Sequence, residues 1–123
     1  MYEILTPSQA EALSDDKNRL KNHVLSIITN IEAGFPDELN SDGEEFSAFD
    51  YLQDALDIEY IVSSNKEYLG ARVLVASGGP NIWINTRNRQ VEGYWWGDKF
   101  IAQYNHTDGA IELDQACEDL MGC

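Results

Sequence analysis

The stretch from Ile58 to Tyr104 does most to limit what this chain can fold into. Ile58, Tyr60 and Val62 alternate with Glu59, Ile61 and Ser63, and Tyr68 to Ser77 is a β-branched run. Asn81 to Thr86, Gln90 to Trp96 and Lys99 to Tyr104 are three more segments of strand length. The breakers between them are Ser64-Asn65-Lys66, Gly78-Gly79-Pro80, Arg87-Asn88-Arg89 and Gly97-Asp98. All are far shorter than the roughly dozen residues that a parallel crossover needs. Consecutive strands are therefore expected to pair as hairpins in an antiparallel meander. Gly78-Gly79-Pro80 leads into another strand rather than a helix, so it is expected to be a tight turn with positive φ and not a phosphate loop.

Outside this stretch the hydrophobic period is helical. Thr6-Pro7-Ser8-Gln9 has the pattern of a capping box with proline at the first helical position. Leu13, Leu20, Val24, Ile27, Ile28 and Ile31 then fall on one stripe, and Gly34 and Pro36 end it. Ser14-Asp15-Asp16 offers a second N-cap that would split this element in two. A second helix is expected over about 44–57, with Phe46, Phe49, Leu52, Ala55 and Leu56 inward, after turn chemistry at Pro36-Asp37 and Ser41-Asp42-Gly43. Leu113, Ala116, Cys117, Leu120 and Met121 mark a final helix over 109–122. The expected fold is α+β, an antiparallel meander sheet of four to five strands with N-terminal helices and a C-terminal helix on one face. It is read as a single domain over 1–123, with the first helix in 1–34 and the sheet in 58–105. A length of 123 residues with 43% hydrophobic content suffices for one core.

The charge is extreme, with 22 Asp and Glu against 8 Lys and Arg, or −14 formally. It argues against unaided binding to nucleic acid or an anionic membrane. It is also segregated. Between Asn22 and Asn65 there is no Lys or Arg, whereas Glu32, Asp37, Glu38, Asp42, Glu44, Glu45, Asp50, Asp54, Asp57 and Glu59 are all acidic. A second basic-free window follows Lys99 and carries Asp108, Glu112, Asp114, Glu118 and Asp119. An acidic solvated surface explains this blandly. The sharper reading is that carboxylates on helices stand where phosphates would lie and occupy the basic groove of a nucleic-acid-binding protein. Asp50, Asp54 and Asp57 are spaced for one exposed helical row opposite Phe49, Leu52 and Leu56.

All three tryptophans fall in Gly78 to Trp83 (GGPNIW) and Val91 to Asp98 (VEGYWWGD). Alternation places Trp83 with Asn81 and Asn85, and Glu92 with Tyr94 and Trp96. A sheet face carrying Arg72, Trp83, Tyr94 and Trp96 would form an aromatic platform with polar edges. The competing reading is cross-strand packing, with Gly93 letting a ring from the adjacent strand lie over the backbone.

Catalytic signals are weak. No G-x-S-x-G elbow or H-E-x-x-H helix is present. His106 beside Asp108 reads as a turn histidine at a helix start, and His23 as a rim residue. Glu92, expected to be desolvated against indole rings, is the acid an enzyme reading would turn to first. No catalytic residue, metal or cofactor is expected, and Cys117 and Cys123 are read as free thiols. The N-terminal stretch lacks a charged and apolar leader pattern, and no apolar run has membrane length, so a location in the cytoplasm of whatever cell makes the chain is expected.

Leu69-Gly70-Ala71-Arg72, GGPNIW and VEGYWWGD resemble small acidic proteins of unassigned function from bacterial plasmids, conjugative elements and phages. The resemblance covers about residues 50–105. It implies a mobile-element context in a bacterial host cell, in which small acidic proteins disable restriction or CRISPR machinery. The function expected from charge and resemblance together is non-enzymatic inhibition of such a system. The partner would be a basic nucleic-acid-binding protein such as a CRISPR nuclease or restriction enzyme, met by Asp42, Glu44, Glu45, Asp50, Asp54, Asp57 and Glu59. The alternative is a small binding module that holds a peptide or small ligand on Arg72, Trp83, Tyr94 and Trp96.

Overall fold

A computed structural model describes residues 7–35 and 47–122, with the side chains of the first helix described from Asn18 onward. The first helix, α1 (Pro7–Glu32), is continuous, so Ser14-Asp15-Asp16 does not split it. Leu20, Val24, Ile27, Ile28 and Ile31 of its stripe are buried, whereas the Leu13 side chain lies outside the described set. Gly34 at φ +78 ends the helix. The Phe35 N–H reaches back to the Asn30 carbonyl at 2.9 Å and the Gly34 N–H to that of Ile31 at 3.1 Å. This paired arrangement satisfies carbonyls left open at a helix end.

Five strands follow the second helix in chain order, β1 (Asp57–Val62), β2 (Tyr68–Ala76), β3 (Asn81–Asn85), β4 (Gln90–Trp95) and β5 (Asp98–Gln103). They pair antiparallel with their chain neighbours in the order β1-β2-β3-β4-β5, so the short breakers do make hairpins. Gly78 has φ +89, and its N–H bonds the Asn81 side chain at 3.3 Å, which is the expected tight turn. The register puts Ile58, Val73, Ile84, Val91 and Ala102 in one row across all five strands. That row faces the helices, with Val73, Ile84 and Val91 fully buried.

Helix α1 packs on β4 and β5, and α3 (Asp108–Met121) packs on β2 and touches α1. At Gly93 a Cβ would lie 2.7 Å from Leu20 Cδ1 and 2.8 Å from Val24 Cγ2, so the glycine admits α1 and not a ring from the next strand. Tyr68 ties sheet to helix through a 2.7 Å bond from its hydroxyl to Asp114 Oδ1. Thr107 caps α3 by accepting the Ala110 N–H.

The second helix departs from expectation at its C-terminal end. Helix α2 spans only Ala48–Gln53. Asp54 is its C-cap, and the Leu56 N–H bonds the Leu74 carbonyl at 2.9 Å, so pairing with β2 pulls the chain out of the helix before 57. Leu52 is buried, but Phe49 is 46% and Leu56 60% exposed rather than inward. Phe46 and the turn segments around Pro36 and Ser41 lie outside the described residues.

Candidate functional site

The face of the sheet turned away from the helices is built by the other alternation set. Glu59 pairs with Arg72, Leu74 with Trp83, and Trp83 with Glu92. Arg72 lies at the centre. Its Cζ sits 4.4 Å above the Trp83 ring, Nη1 donates to Glu59 Oε1 at 3.2 Å, and Nη2 lies 3.6 Å from Glu92 Oε1. Tyr94 donates to the same Glu92 oxygen at 2.7 Å, and that bond, with partial burial, raises its hydroxyl above the ordinary range. The Glu92 side chain is only 12% exposed. Its carboxylate is therefore served by a guanidinium and a phenol in a partly desolvated place, which strengthens both contacts.

Arg72, Trp83 and Tyr94 thus come together as the alternation predicts, but the ring face that a ligand would need is covered by the chain's own cation. Trp96 does not join them. It has φ +50 and Gly97 has φ +82, which makes Trp96-Gly97 the central pair of a two-residue turn between β4 and β5. Strand β4 ends one residue earlier than expected, and Trp96 stands at the hairpin tip, 85% exposed. Arg72→Ala should lower stability by about 1–2 kcal/mol, because it leaves Glu92 without its cation and uncovers Trp83. Denaturant midpoints of Arg72→Ala, Glu92→Gln and the double variant would reveal the coupling, which vanishes if the cluster is only incidental.

The acidic set is distributed differently from the expected row. Asp42, Glu44 and Glu45 lie outside the described residues. Asp50 is spent on the fold, since its carboxylate accepts from the Ser47 N–H at 3.0 Å and the Ser47 hydroxyl at 2.9 Å in a capping box. Asp54 ends α2, Asp57 begins β1 and Glu59 turns to the sheet face beside Arg72, so no helical row of the three aspartates exists. What brings acids together is tertiary. Helix α2 packs on α3, and a cleft of about 440 Å³ between them has Phe49, Ile111 and Ala116 on its apolar side. Asp108, Glu112 and Asp119 rim it, and Glu112 also accepts the Ala48 N–H at 3.4 Å. Ile111, 49% exposed, is the residue that sequence reasoning missed. Its signal was present, as an isoleucine off the Leu113, Ala116 and Cys117 stripe of α3.

Cys117 is a buried free thiol, while Cys123 lies outside the described residues. Among the described residues no group of His, Cys, Asp and Glu is placed to hold a metal ion, and no helix is long and apolar enough to cross a membrane. No protein-family model, curated protein or solved structure matches the chain.

Proposed function

We propose that the protein acts without catalysis, by binding a basic nucleic-acid-binding protein through the flank formed by α2, α3 and β1. One observation carries this reading: none of these three elements contains a Lys or Arg, and α2 packs directly on α3. The described parts of the two basic-free windows are joined through the α2–α3 contact; Arg87 and Arg89 of the β3–β4 turn border α3 at Ala110, Ile111 and Asp114, and the other described cations belong to α1, the β1–β2 turn, β2 and β5. Carboxylates held on short rigid helices present a negative field that a phosphate-binding groove is built to receive. The half-exposed Phe49 and Ile111 add the apolar contact that protein partners use and nucleic acid does not need. The resemblance of Leu69 to Arg72, GGPNIW and VEGYWWGD to mobile-element proteins directs the search to restriction and CRISPR nucleases.

The test is competition. The protein is added to a panel of such nucleases with their DNA targets, and DNA binding and cleavage are read at low and high salt. Inhibition is expected for a cognate enzyme, with affinity falling at least about tenfold from low to high ionic strength. The double variant Asp54→Lys and Glu118→Lys, both exposed and outside the capping box, should weaken inhibition at least about tenfold while unfolding normally. Inhibition indifferent to salt and to this double variant would sink the reading, as would no inhibition across the panel.

A further inference from the structure

The β4–β5 turn carries a residue whose placement costs the fold and is not repaid within it. A two-residue turn with positive φ at both central positions favours Asn-Gly. Here the first position is Trp96, at φ +50 and 85% exposed. A bulky residue in the left-handed region is strained by its own Cβ, and an indole left in water gains nothing by burial.

One residue away lies a cavity of about 260 Å³, walled by Arg19, Leu20 and His23 of α1, Pro80 of the β2–β3 turn, and Trp95. A cavity of roughly 150 Å³ with aliphatic walls takes up benzene, so this one has room for an indole.

We infer that two copies of this chain associate about a two-fold axis at the hairpin tip, each placing Trp96 in the other's cavity beside Leu20, Pro80 and Trp95. Knob and hole are adjacent in the chain, so one rotation satisfies both contacts, and the interface closes as a dimer. The Arg19 guanidinium at the cavity wall supplies the cation that an incoming ring face attracts. Among the described residues, the charged or titratable groups beside the cavity and tip are Arg19, His23, Tyr94, Lys99 and Asp98, without the acidic excess of α3, which packs on β2. The acidic flank stays open, so this inference does not depend on the proposed function.

Sedimentation of the full chain from micromolar to millimolar concentration tests it. The wild type should pass from monomer to dimer, more readily at high salt, because screening relieves the like charge; this is the reverse of the salt dependence expected for a basic partner. Trp96→Asn suits the turn and should fold at least as well, with dimerisation weakened roughly 30-fold or more. His23→Trp, which crowds the cavity and keeps the tip, should do the same. Dimerisation should also blue-shift the tryptophan emission of the wild type. A wild type monomeric throughout, or a dimer as strong in Trp96→Asn or His23→Trp as in the wild type, overturns the inference.

Discussion

Gly109→Ala is expected to destabilise the protein by about 3 kcal/mol and to lower its melting temperature by roughly 10 °C. Alanine is intrinsically favoured over glycine within a helix by about 1 kcal/mol, so the sign of this effect is set by contact alone. Gly109 is buried in the first turn of α3, where it meets the end of α1. A Cβ there would collide with the Ile31 carbonyl oxygen and lie 2.7 Å from Gly34 Cα. Both are backbone atoms of the turn that closes α1, and neither can rotate away. Thermal or denaturant unfolding of the single variant measures the effect. A neutral or stabilising result would mean that α3 does not approach α1 as closely as described.

The second large effect is alkaline. Burial, helped by the charge of Asp114, pushes the Cys117 thiol from its ordinary 9.0 to about 12. Burial likewise raises Tyr51 from 10.0 to about 12, and raises Tyr68 and Tyr104 further. Below pH 9 these groups are protonated both folded and unfolded, and their contribution to stability is fully present. Above it the unfolded chain releases protons that the folded chain retains, so stability falls as pH rises. For Cys117 the loss is about 1.4 kcal/mol per pH unit between 9 and 12. The buried tyrosines steepen the fall above 10, against a total stability of about 5–15 kcal/mol for a domain of this kind. Urea midpoints from pH 7 to about 11 should be flat with respect to these groups up to 9 and then drop. Cys117→Ala, less stable at neutral pH through the cavity it leaves, should show a shallower drop. An unchanged slope in that variant would exclude the thiol as the cause.

The sheet was legible in the sequence because its breakers are short and its strands rich in β-branched residues, and those two facts leave few alternatives. The ends of α2 were not legible. Leu56 stands at helical spacing from Leu52, and only the pairing of Leu56 with Leu74, set by the sheet edge, removes it from the helix. With that the Asp50, Asp54 and Asp57 row disappears, since a helical row requires all three to share one helix. Arg72, Trp83 and Tyr94 were found together because strand alternation is strict. Trp96 was misplaced by one residue, because tryptophan gives no hint that it can occupy the left-handed position of a turn. The groove between α2 and α3 depends on how two helices meet, which no local pattern encodes.

The nearest-neighbour order of the sheet has a consequence for how the chain is made. Every strand pairing joins segments adjacent in the chain, so the sheet can assemble hairpin by hairpin with little loop-closure cost. Helix α1 differs, since its apolar stripe is made first and its partners β4 and β5 come about seventy residues later. At 5–20 residues per second the stripe waits roughly 4–14 s for its cover. During synthesis that uncovered helix, rather than the sheet, is where a chaperone would hold this protein.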